Sequence, residues 1–303
     1  MKKQIHINLK RFDVLHNQGG LCPDGDAQVW VQRTLQRIID LGWGRHPQLH
    51  LTVYLPDLLL SAAVALLRRN PSENVASLAL GTQSCHALDV APGGNFGAFT
   101  SHSLASAQAA MGSEAALIGH CEERLWLQHL LQLASAEGTA LSPLVSQLIC
   151  EKVKNALNQG MKVTLCLGET AGERGEGDDA TQIARARKVL ENQLAVSLAG
   201  IDGETLVNRV TLAYEPVWAI GPGKTPPNGE YIAQTAEFIK HTTQQLTGVT
   251  LPVIYGGGLK AENAAEIGKI AALDGGLIAL TRFTPPIGFC PEELNAILTT
   301  YCG

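Results

Sequence analysis

The sequence lacks a basic surface, a long apolar run and paired cysteines, and each absence argues against a class of protein. The formal net charge is -5 and the basic residues form no stripe, so a nucleic-acid-binding role is not expected. No apolar run reaches the roughly 18 residues of a transmembrane helix, so we expect no membrane association. The amino terminus enters a predicted strand without the apolar core of a signal peptide, and we therefore expect a cytoplasmic protein.

The seven cysteines are scattered, with no CxxC pair and no zinc-like spacing. An odd number without pattern predicts reduced thiols that pack as small apolar groups, rather than a disulfide framework. None of the usual metal-ligand spacings is present either, so the sequence predicts no metal site.

Short apolar runs alternate with longer amphipathic stretches from one end of the chain to the other. This alternation is typical of repeated βα units around a parallel sheet, and 45% hydrophobic content over 303 residues can bury a large core. No linker or composition break divides the pattern. We therefore predict an α/β fold, one domain over residues 1–303, built as a single closed (β/α)8 barrel.

Eight strands and several helices follow from this pattern. The predicted strands are 3–8, 49–54, 76–81, 115–118, 162–166, 209–214, 252–255 and 275–280. The predicted helices include 29–41, 141–158, 181–198, 230–246 and 261–271. The remaining length is expected in loops, notably 16–26, 41–48 and 86–96. Because functional residues of such barrels stand at the carboxyl ends of the strands, those ends are the candidate site.

The sixth predicted strand ends in a carboxylate and runs into a loop. Residues 213–225 read Ala-Tyr-Glu-Pro-Val-Trp-Ala-Ile-Gly-Pro-Gly-Lys-Thr. Glu215 follows a buried strand, Trp218 is apolar enough to pack on the barrel rim, and Gly221 offers a free amide to an anion. This layout is typical of a lid beside a catalytic base. A surface turn with an incidental acid is the alternative.

Two further strand ends carry candidate electrophiles. Lys10, after strand one, would point its ammonium into the barrel opening, where developing negative charge needs a cation, unless it is simply solvated. His120, after strand four, precedes a predicted helix start whose amides favour a neutral imidazole suited to polarising a carbonyl; a structural histidine is the alternative. Cys121 as a thiolate nucleophile is disfavoured, because adjacent residues on a turn tend to point apart.

The seventh strand is followed by Gly256, Gly257 and Gly258 and then a predicted helix. Consecutive glycines expose backbone amides near a helix amino terminus, which suits an anion, and barrels of this type often bind phosphate after strands seven and eight. A plain flexible turn is the alternative.

Together these strand ends resemble the motifs of the triosephosphate isomerase family. Residues 213–225 resemble its catalytic glutamate and flexible lid, and Asn8 and Lys10 match its Asn-Trp-Lys-Met-Asn run. Residues 119–124 read Gly-His-Cys-Glu-Glu-Arg and are similar to the family's Gly-His-Ser-Glu-Arg-Arg. Residues 166–169 read Cys-Leu-Gly-Glu, where the family has Cys-Ile-Gly-Glu. Residues 255–258 read Tyr-Gly-Gly-Gly, where the family has Tyr-Gly-Gly-Ser. The resemblance implies a TIM barrel that needs neither metal nor organic cofactor.

The resemblance also implies a role for each matching residue. Glu215 would be the base, with Lys10 and a neutral His120 stabilising an enediolate. The implied substrate-binding residues are Asn8, Gly221, Gly257, Gly258, Ala279, Leu280 and Arg282. The implied supporting residues are Glu122, Cys166 and Tyr255. Glu122 would contact Lys10, Cys166 would pack beside the base, and Tyr255 would meet the closed lid.

The eighth strand departs from the family. The expected glycine pair is Ala279-Leu280, and Arg282 takes the place of a serine. Three hypotheses stay open: a displaced phosphate held by Arg282 as a bidentate cation, a pocket reshaped for another substrate, or an outward-pointing Arg282 with phosphate bound by backbone alone.

The implied reaction interconverts dihydroxyacetone phosphate and glyceraldehyde 3-phosphate, a step of glycolysis and gluconeogenesis. The altered eighth strand leaves open an isomerase of a related phosphorylated ketose, such as a tetrulose phosphate. A non-catalytic ligand-binding barrel is the third hypothesis. The Gln-Ser-Cys and Gly-Ala-Phe-Thr elements at 83–85 and 97–100 resemble those that bracket the family's dimer loop, so the resemblance implies a homodimer.

Overall fold

Eight parallel strands close into one barrel in the computed structural model, which describes residues 2–23, 25–94, 96–134, 141–221 and 223–303. Each strand pairs with the next along the chain, and the last pairs with the first. The strands are β1 (Lys3–Asn8), β2 (Leu49–Leu55), β3 (Leu78–Thr82), β4 (Ala115–Ile118), β5 (Lys162–Leu167), β6 (Val210–Tyr214), β7 (Val253–Tyr255) and β8 (Gly275–Ile278). The predicted barrel is therefore confirmed, with the same strands in the same order.

Helices surround the barrel. They are α1 (Ala27–Asp40), α2 (Asp57–Arg69), α3 (Ser72–Val75), α4 (Ala105–Ala110), α5 (Cys121–Ala134), α6 (Leu141–Asn158), α7 (Ala171–Arg174), α8 (Asp179–Ser197), α9 (Gly203–Arg209), α10 (Gly229–Thr247), α11 (Ala261–Gly268) and α12 (Pro291–Cys302). Short 3-10 turns at His16–Gln18 and Trp43–Arg45 interrupt two of the predicted loops. The five predicted helices are confirmed, whereas α2, α5 and α12 were not singled out.

The strands are buried on both faces, which explains their continuous apolar runs. The barrel interior is filled by Tyr54, Ala115, Leu117, Cys166, Ala213, Ile254 and Leu277. A larger apolar layer lies between the strands and the helices. The seam between β8 and β1 depends on Gly275, because a Cβ there would lie 1.8 Å from the Gln4 carbonyl oxygen.

All seven cysteines are free thiols, and four of them are buried. The four buried cysteines fit the prediction of thiols that pack as small apolar groups, whereas Cys121 and Cys290 are partly exposed and Cys302 is exposed. Among the described residues, no helix is both long and apolar enough to cross a membrane.

Candidate active site

A cavity of about 520 Å³ opens at the carboxyl ends of the strands. Most of the predicted site residues line it, although they come from five different βα units. Those lining residues are Asn8, Lys10, His120, Glu122, Glu215, Gly221, Gly257, Gly258, Ala279 and Leu280. The barrel topology thus brings the candidate base, the two electrophiles and the glycine turn into one pocket.

Glu215 and His120 are in direct contact inside this cavity. Glu215 leaves the end of β6 and His120 leaves the end of β4, and His120 Nε2 lies 3.2 Å from Glu215 Oε1. The second carboxylate oxygen accepts a 3.1 Å hydrogen bond from the Cys121 main-chain N–H. Both oxygens of the candidate base are therefore occupied by protein donors, and substrate must compete for them.

Burial sets the proton affinity of Glu215. Its side chain is 3% exposed, and this desolvation raises its pKa above the ordinary 4.5, while nearby His120 and the Cys121 N–H partly oppose the rise. A carboxylate with a raised pKa is a better proton acceptor than an exposed one, which is the property that a general base needs.

The raised pKa makes a stability prediction. Just above the ordinary pKa, the folded protein keeps a proton on Glu215 that the unfolded chain has lost, so stability falls as pH rises through the raised pKa. Glu215→Gln removes the titrating carboxyl group and with it this fall in stability. We expect urea denaturation to show the variant gaining stability relative to wild type as the pH is raised from 4 upward. A stability difference that does not change with pH would contradict the raised pKa.

His120 has one ring nitrogen as an acceptor and the other as a donor. It stands directly before α5, and the Glu122 main-chain N–H points at His120 Nδ1 across 3.4 Å. Because a main-chain amide can only donate, Nδ1 accepts and the ring proton is assigned to Nε2, facing Glu215. The helix start therefore selects the tautomer whose Nε2–H is available to a substrate oxygen.

Lys10 is fixed by two neighbouring side chains. Its ammonium lies 2.8 Å from Glu122 Oε1, as the resemblance implied. Gln83 donates to the Lys10 carbonyl and to Asn8 Oδ1, both at 2.9 Å. This amide, which the sequence analysis quoted without a role, ties the end of β1 to the end of β3 and holds Asn8 and Lys10 in place.

The first part of the lid is packed on the barrel rim. Trp218 donates its indole N–H to Glu169 Oε1 at 2.7 Å, and the Arg174 guanidinium lies 4.0 Å from the Trp218 ring centroid. The predicted contact of Trp218 with the rim is thus observed. At the tip, Gly221 is exposed and has a φ of +121°, which favours glycine, and Pro222 lies outside the described residues.

The glycine turn after β7 borders the cavity with its backbone. Gly256 packs on the candidate base, since a Cβ there would lie 3.0 Å from Glu215 Cγ. Tyr255 is fully buried, and its hydroxyl donates to the Gly257 carbonyl at 3.2 Å. Tyr255 therefore braces the turn, while its predicted contact with a closed lid stays a prediction.

The structure does not bring Arg282, a predicted substrate-binding residue, into the cavity with the others. Its guanidinium pairs with Glu293 on α12, at 2.8 Å from Nε and 2.7 Å from Nη2, and it does not line the cavity. The two carboxylate contacts hold it outward, as in the third hypothesis. Ala279 and Leu280 do border the cavity, so side chains stand where the family has its glycine pair.

Two lysines that the sequence analysis did not single out supply positive charge instead. Lys224 of the lid and Lys260 after the glycine turn both line the cavity. The Lys260 ammonium lies 4.1 Å from the Phe283 ring centroid. The signal for Lys260 was its position, because it directly follows the glycine turn and precedes α11.

Variants of Arg282 and Lys260 separate these assignments. We expect Arg282→Ala to leave the Michaelis constant for a phosphorylated substrate within about twofold, because Glu293 already holds that side chain. Lys260→Ala should raise it about tenfold, as expected for a lost contact to an anion. Steady-state kinetics of both variants check this, and the reverse ranking would restore Arg282 to the site.

Cys121 and Cys166 have distinct positions. Cys166 is fully buried inside the barrel, and its carbonyl accepts from Arg124 Nη2 at 2.9 Å, so packing explains it. Cys121 Sγ lies 3.8 Å from His120 Nδ1, so the two side chains do not point apart as expected. Burial raises the pKa of Cys121 to about 12, which still argues against a resting thiolate nucleophile.

Comparison with known proteins agrees with this geometry. Residues 44–285 match the family model described as triosephosphate isomerase. The chain belongs to the triosephosphate isomerase family. It is 33% identical over 237 residues to the triosephosphate isomerase of Ruegeria pomeroyi, covering 75% of this chain and 80% of the relative, and 33% identical over 205 residues to that of Acidiphilium cryptum, covering 67% and 72%.

A solved structure supports the fold. The crystal structure of triosephosphate isomerase from Bartonella henselae aligns with a TM-score of 0.69, at 23% identity, over 100% of both chains. Family membership makes the chain an enzyme, an aldose–ketose isomerase of the triosephosphate isomerase type, and not the non-catalytic barrel considered above.

Proposed function

We propose that the enzyme, a single-domain barrel, interconverts dihydroxyacetone phosphate and glyceraldehyde 3-phosphate through an enediolate. The observation that carries the proposal is the Glu215–His120 contact of 3.2 Å in a pocket that also holds Lys10. It places a buried carboxylate, an imidazole and an ammonium around one small cavity. Proton transfer next to a carbonyl needs these three groups.

The proton path follows from the positions of these groups. Glu215 removes a proton from the carbon beside the carbonyl and returns it to the neighbouring carbon. The Nε2–H of His120, which here faces Glu215, would turn to the substrate oxygen as the carboxylate moves onto the carbon. Lys10 adds positive charge where the enediolate develops negative charge.

The phosphate would lie between the glycine turn and the lid. The amides of Gly257 and Gly258 border this part of the cavity, and Lys260 and Lys224 add charge. Closure of the lid would bring the Gly221 amide onto the anion and exclude water, which strengthens the electrostatic contacts to the enediolate.

One observation favours a second substrate, a four-carbon ketose phosphate. Leu280, Phe283 and Ile287, all in or after β8, line the cavity. They give the phosphate side of the pocket an apolar wall in place of the family's glycine pair, and Leu280 would displace a bound phosphate. A longer sugar phosphate is an alternative occupant of a pocket of this shape.

Substrate kinetics test the assignment. We expect the purified enzyme to show a kcat/KM for glyceraldehyde 3-phosphate at least 100-fold above that for the tetrulose phosphate, since one extra carbon must fit beside Leu280. Phe283→Ala serves as a variant that enlarges the pocket, because it removes part of the apolar wall. Turnover of the tetrulose phosphate alone would move the assignment to the second substrate.

We also propose that the enzyme is a cytoplasmic homodimer acting in glycolysis and gluconeogenesis. The segment between β3 and α4 exposes Leu88, Val90 and Phe96, and Phe96 is 101% exposed. The ends of this segment are joined by a 2.8 Å hydrogen bond from His86 N–H to the Ser103 carbonyl. A projecting apolar tip on a fixed base suits insertion into a second copy. Light scattering should give twice the chain mass, and Phe96→Asp should give monomer.

A further inference from the structure

Three side chains of different chemistry meet in the cavity: an imidazole, a thiol and a carboxylate. One ligand atom each of His120, Cys121 and Glu215 lies within 4.8 Å of the others. The closest pair is His120 Nε2 and Glu215 Oε1 at 3.2 Å. All three residues line the cavity, so a dissolved ion has access to them.

This set fits a zinc ion. Zinc takes nitrogen, sulfur and oxygen ligands in a tetrahedron, with bonds of about 2.0 to 2.3 Å that place ligand atoms roughly 3.3 to 3.8 Å apart. His120 Nε2 and Glu215 Oε1 lie 3.2 Å apart, within about 0.1 Å of this range. Rotation of the Cys121 side chain would bring its sulfur from within 4.8 Å to a bonding position. Three protein ligands leave the fourth position open to the cavity.

The surrounding charge also permits a cation. Lys10 is the nearby ammonium, and Glu122 neutralises it at 2.8 Å. When the zinc bonds form, Cys121 releases its thiol proton to the solvent, and the His120 ring proton moves through solvent from Nε2 to Nδ1, where Glu122 Oε2 lies 3.9 Å away. The thiolate and the Glu215 carboxylate then balance the two charges of the ion.

We propose that His120, Cys121 and Glu215 form a zinc-binding site that competes with catalysis. The residue that creates it is Cys121, which stands where the family motif has a serine. A bound ion takes the carboxylate lone pair that would accept the substrate proton and a ring nitrogen of His120. Zinc binding itself does not depend on the proposed function; the resulting inhibition does.

Sequence spacing does not reveal this site, because Glu215 is far from the other two ligands in the chain. Cys121 and Glu215 are separated by 94 positions, whereas zinc motifs are recognised by short spacings. The barrel brings them together because β4 and β6 both end at the same rim, on either side of β5.

Cobalt and zinc titrations of the full-length enzyme test the proposal directly. We expect Co²⁺ to give a near-ultraviolet sulfur-to-cobalt charge-transfer band at one ion per chain, and Zn²⁺ to displace it. Cys121→Ser should lose the band and weaken zinc binding about 100-fold or more. Cys302→Ser, at an exposed thiol near the carboxyl terminus, should retain both.

The outcomes are decisive in either direction. The zinc site would be overturned if the charge-transfer band survived in Cys121→Ser and in Cys121→Ala, or if it vanished in Cys302→Ser. The absence of any band in the folded wild type would also overturn it. Circular dichroism checks folding, and Glu215→Gln provides a second ligand variant. A zinc-binding protein without isomerase activity would overturn the proposed function alone, and an active enzyme without the band would overturn the zinc site alone.

Discussion

Glu215→Gln should lower kcat by about 10³- to 10⁴-fold, because it removes the group that accepts the substrate proton. Glutamine keeps the shape of the side chain and can still accept from the Cys121 N–H, so the pocket should stay assembled. Binding of a phosphate-bearing enediolate analogue should therefore weaken by less than about tenfold. Steady-state kinetics and calorimetry with the analogue measure the two effects separately.

Glu237→Gln is a matched control for this variant. Glu237 is exposed on α10, so the same chemical change there should leave kcat within about twofold. Turnover by Glu215→Gln close to the wild-type rate would remove Glu215 as the base. Loss of analogue binding in the same variant would instead show that the substitution had disturbed the pocket.

Lys10→Met should lower kcat/KM by about 10²- to 10³-fold, the range for loss of one preorganised electrostatic contact to developing charge. Methionine keeps much of the aliphatic stem but removes the ammonium. Its partner Glu122 is 66% exposed, so the carboxylate left behind stays hydrated and the fold should be little affected. Kinetics and a thermal melt on the same preparation separate catalysis from stability.

Lys154→Met is the control for the lost positive charge. Lys154 pairs with Glu151 on the surface of α6, and isolated surface pairs contribute little. We expect its kcat/KM to stay within about twofold of wild type. Equal losses in the two variants would mean that net charge, and not the position of the Lys10 ammonium, sets the rate.

The sequence predicted the barrel well because two signals repeat in it. Strands buried on both faces read as continuous apolar runs, and the amphipathic segments between them have helical spacing. The helix α2 was not singled out, although Asp57–Arg69 has a buried apolar face at Leu59, Leu60, Ala62 and Ala63. For α5 only the start after His120 was predicted, and its contact with the core is limited to partly buried residues such as Leu127 and Leu131.

The location of a site residue was predictable where that residue closely follows a predicted strand, because the strand end fixes its position. Glu215, His120 and Lys10 are of this kind, and all three line the cavity. The direction of the Arg282 side chain was not predictable, because it depends on an ion pair with Glu293 that local sequence does not reveal. Gln83 was missed as a positioning residue for the same reason, since its two acceptors lie on β1 and just after it.

The most direct test of the account is proton NMR of dihydroxyacetone phosphate with the purified enzyme in deuterated water. If Glu215 carries the proton between adjacent carbons, isomer should form and deuterium should enter the transferred position, and both signals should be lost together in Glu215→Gln. Isomer formed by Glu215→Gln at the wild-type rate, or no conversion and no deuterium uptake by the wild-type enzyme, would contradict the account.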